Sequence, residues 1–149
     1  MSIRVRRATE ADLPALVELL QVLFAIEADF ALDPERQRRG LAAMLVDTER
    51  SVVLVADGDG ATVGMATGQL IISTAEGGAA CLVEDLVVAA DWRRHGIGGW
   101  LLDQVAAWAA ARGATRLQLV ADRENQAALR FYDRRGWRRT QLVALHHGI

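Results

Sequence analysis

The chain has 149 residues, 52% of them hydrophobic and 24% charged, with a formal net charge of −2; this predicts one globular domain over 1–149, able to bury about 68 to 70% of its unfolded surface. Disorder would need far less apolar content, and no run approaches the ~18 consecutive apolar residues of a membrane span. One cysteine, Cys81, forms no internal disulfide, and all 17 basic residues are arginine, which rules out a Schiff-base lysine, a Walker lysine and every lysine nucleophile.

Charge is unevenly spread along the chain. Residues 1–85 hold seven arginines against fourteen acids, a net of −7, and residues 86–149 hold ten against five, a net of +5. If the halves form separate faces, the second favours an anionic ligand and the first a cationic one. The opening stretch from Met1 to Pro14 carries charge where a signal peptide needs its apolar run. With the lone cysteine, this places the expected location in the cytoplasm.

Taken in chain order, Ile3 to Arg7 alternates apolar and polar residues as a short strand. Thr9 then caps a helix, with Asp12 three residues on and Leu13, Leu16, Val17, Leu20, Leu23 and Phe24 at helical spacing. Asp33 before Pro34 starts a second helix, running to about Asp47. Ser51 to Ala56, the turn Asp57 to Gly60, and Thr62 to Ser73 read as a hairpin, and after a turn at Glu76 to Gly78 a third strand follows from Ala79 to Val88. Ile97, Leu101, Val105 and Trp108 share one face of a helix that ends near Arg112-Gly113. Thr115 to Val120 is a buried strand, about Asn125 to Arg135 a helix stopped by Gly136, and Trp137 to Leu145 a closing strand. The order βααβββαβαβ is an α/β sheet layered with helices, mostly antiparallel at the front with one βαβ crossover at the back.

The most informative stretch is Val87-Val-Ala-Ala-Asp-Trp-Arg-Arg-His-Gly-Ile-Gly-Gly-Trp-Leu-Leu102. A strand ends, arginines and glycines follow, and a helix begins at once, so free backbone N–H groups and a positive helix end surround a tight loop suited to phosphate. Gly96 and Gly98 let the backbone approach a ligand, and Arg93 and Arg94 add charge. A dinucleotide fingerprint would need glycine where Leu101 stands, and a P-loop would need Gly-Lys-Ser/Thr. A plain helix start with glycines for close packing gives the same pattern.

Arg93-Arg-His-Gly96-Ile-Gly98 resembles the Arg/Gln-x-x-Gly-x-Gly/Ala signature of the GNAT N-acetyltransferases. Leu82-Val-Glu-Asp-Leu-Val-Val88 leads into it, and Asn125-Gln-Ala-Ala-Leu-Arg-Phe-Tyr132-Asp-Arg-Arg-Gly136-Trp is similar to the family's Asn-x5-Phe-Tyr-x3-Gly-Phe segment. The resemblance is specific from about 82 to 137. It implies a mixed, mostly antiparallel sheet of about six to seven strands flanked by about four helices and splayed at the cofactor strands. It also implies acetyl-CoA as co-substrate, its pyrophosphate on Arg93, Arg94, His95, Gly96, Ile97, Gly98 and Gly99, and its pantetheine arm along Leu86, Val87 and Val88, with Asn125 bonding that arm or capping its own helix.

The resemblance further implies a proton acceptor near the strand. Glu84 is the first choice, because Leu82 to Leu86 resembles the corresponding strand of the diamine acetyltransferases. Adjacent strand residues point to opposite faces, so Asp85 joins Glu84 in the acceptor cleft only if a bulge turns it. Tyr132 matches the family's acid for the departing thiolate. Family acceptors lie against the first two helices, here around Phe24, Glu27, Asp29, Phe30 and Asp33, with Asp85 as a further acceptor-side candidate.

Cys81 has no histidine nearby, and a lone strand cysteine is usually small apolar filling, so direct transfer is expected. His146 and His147 lack metal-ligand spacing, and no metal is expected. No basic face interleaved with aromatics suggests nucleic acid, and no membrane partner is expected. The expected reaction is acetyl transfer to a small, cationic primary amine. A coenzyme A binding regulatory module without turnover and a peptide or protein N-acetyltransferase remain alternatives, and the resemblance leaves room for a homodimer.

Overall fold

The computed structural model describes residues 2–27 and 31–149. It divides into two compact units, residues 1–119 and residues 120–149.

The first unit contains β1 (Ile3–Arg7), α1 (Leu13–Ile26), α2 (Pro34–Val46), β2 (Ser51–Gly58), β3 (Ala61–Ser73), β4 (Gly78–Val88), α3 (Ile97–Ala110) and β5 (Leu117–Gln118). The strands form one sheet in the order β1-β2-β3-β4-β5, antiparallel throughout except for the parallel β4/β5 pair. Sequential hairpins need only short turns, whereas the parallel step needs α3 as its crossover.

Both faces of the sheet are covered, which is why Ser51 to Ala56 of β2 are buried without alternation. On one face Val53, Val55, Met65 and Val87 pack with Leu16 and Leu20 of α1 and Leu41 of α2. On the other, α3 lays Ile97 and Leu101 over Gly64, and Val105 over Gly68 and Cys81. The capping residues act as their types suggest: Asp33 accepts the Arg36 N–H at 3.2 Å to start α2. Asp12 accepts the Thr9 N–H at 2.7 Å, closing a 3-10 turn, Glu10–Asp12, that feeds α1.

The β3/β4 ladder contains one irregularity. Gly68 pairs with Val83 and Ala66 with Leu86, so Glu84 and Asp85 together oppose Thr67. This bulge inverts the strand's alternation. Before it the odd residues Cys81 and Val83 face α3; after it the odd residue Val87, paired with Met65, faces α1 and α2.

The second unit is built on α4 (Gln126–Arg134), opened by Asn125, whose side chain accepts the Ala128 N–H at 3.1 Å. Tyr132 stands between Phe131 and Trp137, with ring centroids 5.2 and 5.6 Å away. The expected strand from Trp137 to Leu145 is corrected: that segment has no regular structure, and Leu142, Val143 and Leu145 are exposed. Among the described residues the sheet accordingly has five strands, not the six to seven expected, and β5 keeps two residues of the anticipated Thr115 to Val120. Alternation describes what a strand would look like, but a strand exists only where its backbone groups find a partner.

Arg6 ties the first strand to its surroundings. Its guanidinium donates to both Asp12 oxygens at 2.8 Å and, through Nε, to Asp57 Oδ2 at 2.8 Å, linking β1, β2 and the turn before α1. Those hydrogen bonds from Arg6 hold the Asp12 carboxyl down to about 2, against the burial that raises it. A depressed carboxyl contributes stability that is fully present above its unfolded value near 4 and is lost as pH falls towards 2. Asp12→Asn should therefore unfold at lower urea at pH 7, by about 1 to 3 kcal/mol. The difference from wild type should shrink steadily between pH 4 and pH 2, and an equally stable variant at pH 7 would show that the network carries no weight.

Candidate active site

The end of β4 and the start of α3 bring together most of the residues singled out from the sequence. Leu86, Val87 and Val88 close β4, a 3-10 turn at Ala90–Trp92 follows, and α3 opens at Ile97. Between them Arg93, Arg94, His95 and Gly96 are exposed. Gly96 caps the helix at φ +78°, a conformation that costs glycine nothing, and Arg94 also sits at positive φ, 66°. Left-handed residues in a turn of this kind can direct neighbouring N–H groups toward one side, the concave geometry that holds anions.

The first intrahelical bond of α3 runs from the Trp100 N–H to the Gly96 carbonyl at 3.0 Å. The amides of Ile97 and Gly98 therefore precede the helical ladder, at its positive end. Arg93 turns back, its Nε donating to the Val88 carbonyl at 3.1 Å, which fixes the exit from the strand. The Trp92 ring lies against Gly58 at the tip of the β2/β3 hairpin, with His95 edge-on at 6.5 Å. His95 is thus an exposed spacer over an anchored loop. This arrangement fits a pyrophosphate.

The outer edge of β4 is open beside the loop. β5 pairs with β4 only at Cys81 and Leu82, so among the described residues the edge from Val83 to Val88 carries no strand. An extended ligand can add there through backbone hydrogen bonds, as a peptide adds to a sheet edge.

The two carboxylates differ sharply in setting. Glu84 is exposed, whereas Asp85 is buried on the face shared with Met65 and Val87. The Thr67 hydroxyl donates to Asp85 Oδ2 at 2.7 Å and accepts the Asp85 N–H at 3.1 Å. Burial pushes the Asp85 carboxyl up to about 6, the Thr67 hydrogen bond opposes the rise, and the charge of Glu84 adds to it. A carboxyl poised there is ionised at neutral pH yet takes up a proton readily, the compromise a general base requires.

On the acceptor side, Phe24 packs against the core cluster to which α1, α2 and Val87 of β4 contribute. Glu27 caps α1, its N–H bonded to the Leu23 carbonyl at 3.1 Å, and Asp33 caps α2. Asp29 and Phe30 lie outside the described residues. Asn125 and Tyr132 belong to the second unit, Asn125 as the cap of α4 and Tyr132 in its aromatic cluster. Cys81 is fully buried, and burial pushes its thiol up, away from the thiolate a nucleophile needs.

Two contributors were missed in the sequence. Thr67 was one hydroxyl in a strand of small and apolar residues, and Trp92 drew no reading of its own. The signal for Thr67 was its isolation among Gly64, Ala66 and Gly68, but its partner was visible only in the strand register.

The chain is 28% identical over 138 residues to an uncharacterized N-acetyltransferase of Archaeoglobus fulgidus, covering 92% of this chain and 94% of that one. Its fold is similar to a transcriptional regulator of Bacillus halodurans (TM-score 0.86, 24% identity, 99% and 100% of the two chains). It is also similar to the aminoglycoside N-acetyltransferase AAC(6')-Iy solved with CoA (TM-score 0.84, 16% identity, 99% and 95%). No helix among the described residues is long and apolar enough to cross a membrane. Residues 46–137, well over half of the chain, match the acetyltransferase (GNAT) family, and the chain belongs to it: it is an acyltransferase with acetyl-CoA as its co-substrate.

Proposed function

We propose that the protein moves an acetyl group directly from acetyl-CoA to the primary amine of a small, positively charged molecule. The observation that carries this reading is the bulged end of β4, which sets a pair of carboxylates on the strand that runs into the anion-binding loop. Residues 1–149 act as one acetyltransferase domain, and the family match running through both units supports this. An aminoglycoside N-acetyltransferase shares the fold, and a small amine suits the acidic first half of this chain.

The pyrophosphate rests on the loop amides with Arg93, Arg94 and the start of α3, His95 and Gly99 flanking it. The pantetheine arm extends along Leu86, Val87 and Val88, and the family motif gives Asn125 a bond to that arm. Acetyl-CoA supplies the thioester carbonyl that the amine attacks. Amides at the β4 edge face its oxygen, where negative charge grows. An ammonium ion has no lone pair, so Glu84, the exposed carboxylate, takes the proton through water, while Asp85 meets the amine from the buried side. As the new C–N bond forms and the C–S bond breaks, Tyr132 protonates the thiolate. Phe24 walls the acceptor's carbon chain and Glu27 attracts its charge, while the roles expected of Asp29 and Phe30 fall outside the described residues.

Acetyl-CoA should raise the melting temperature, because its loop site exists only in the folded chain. Gly98→Asp, bringing a side chain and a like charge to the phosphates, should abolish the rise; no thermal shift of wild type at millimolar acetyl-CoA would sink the cofactor site. Tyr132→Phe should lower turnover by about 10 to 10³-fold, the scale of a general acid, while acetyl-CoA still binds. Turnover equal to wild type would hand that proton to water.

For the acceptor, a panel of amines followed by thiol release should favour cationic primary amines over anionic amino acids, with apparent affinity weakening as salt rises. The rate should climb with pH until the bound amine has lost its proton. Charge reversal at Glu27 and Asp29 should raise the acceptor's KM more than that of acetyl-CoA. An acidic amino acid as best acceptor, without salt dependence, would overturn the electrostatic reading.

A further inference from the structure

The bulge in β4 creates a problem that one side chain solves. With Ala66 opposite Leu86 and Gly68 opposite Val83, the bulge takes Asp85 out of regular one-to-one pairing in a buried part of the sheet. A buried unpaired N–H is costly. Thr67 accepts the Asp85 N–H at 3.1 Å, and the same oxygen donates its own proton to Asp85 Oδ2 at 2.7 Å. Backbone and carboxylate of Asp85 are therefore tied to one atom. Thr67 is fully buried, so water cannot stand in for it.

We infer that Thr67 is a positioning residue for the acceptor side: its hydroxyl closes the bulge and holds the Asp85 carboxylate in the orientation and charge state that the acceptor amine meets. This rests on the function proposed above.

The surroundings of Asp85 make Thr67 its principal counterweight. From α1, α2, β2 and β3 the same face receives Leu16, Leu20, Leu41, Val53, Val55 and Met65, all apolar. Among the described residues the charged neighbour is Glu84 on its own strand, which raises the Asp85 carboxyl, as burial does. A hydrogen bond to the ionised form is what opposes both. Removing the hydroxyl should let the carboxyl rise further above its present value of about 6. Asp85 would then be protonated over more of the working pH range.

Thr67→Val keeps the branched shape and removes both hydrogen bonds; Thr67→Ser restores them, and Thr67→Ala serves if valine does not fold. The carboxyl carbon of Asp85 is followed by NMR in aspartate-labelled protein, its signal assigned by loss in Asp85→Asn. Acetyl transfer to the best amine of the panel is measured over the same pH range. We expect the Asp85 titration to move upward in Thr67→Val and return in Thr67→Ser. The acid limb of kcat/KM for the amine should move with it, so that its value at pH 6 falls several-fold and that at pH 8.5 changes little. An Asp85 carboxyl that titrates identically in Thr67→Val, or one that moves while the rate profile stays, overturns the inference. Failure of every amine to accept acetyl would overturn the proposed function, and the NMR titration would still decide the Thr67–Asp85 pair.

Discussion

One extra residue in β4 governs where the later side chains of that strand point. Ahead of it Cys81 and Val83 belong to the α3 side; beyond it Asp85 and Val87 belong to the α1 and α2 side, while Leu86 turns to the other. A regular strand would have run its odd residues down one face to the end, placing a carboxylate under α3 among Ile97, Leu101 and Val105. The bulge lets a single strand contribute apolar residues to two cores and a carboxylate pair to a site. Thr67 braces it by accepting the Asp85 N–H within the bulge.

Asp85 is present at a cost to the fold. A carboxyl that titrates at about 6 when folded and near 4 when unfolded binds its proton more tightly in the folded state. Being ionised at neutral pH then costs about 3 kcal/mol. Stability does not account for it, and groups displaced in this way by burial cluster where chemistry is done. The contrast with Asp12 is instructive. Two hydrogen bonds from Arg6 turn a partly buried carboxylate into a stabilising one, whereas Asp85 has a neutral hydroxyl and an acidic neighbour.

An unpaired strand edge is ordinarily a liability, since it offers N–H and C=O groups to any passing strand. Here the open edge of β4 adjoins a loop whose amides, arginines and helix end all favour phosphate. A thioester substrate with an extended amide-bearing arm and a pyrophosphate uses both features at once. The same parallel step of the sheet produces the gap: β5 meets β4 for two residues and then leaves it.

The amino-acid order alone determined the local elements. Helix caps at Asp33 and Asn125, the hairpin at Asp57 to Gly60 and the start of α3 at Ile97 depend on neighbours within a few residues, and each formed where its residues indicated. The family segments around 82–102 and 125–137 were legible for the same reason, being runs in which spacing itself carries the chemistry. What depended on distant partners was decided by the tertiary structure. The segment from Trp137 to Leu145 ends in the apolar run Leu142 to Leu145 that a strand would use, but it has no strand partner. Glu84 and Asp85 are equivalent as letters, and only the register against β3 exposes one and buries the other. Thr67 acquired its part because a residue 18 positions away was brought opposite it, a pairing that no local pattern encodes.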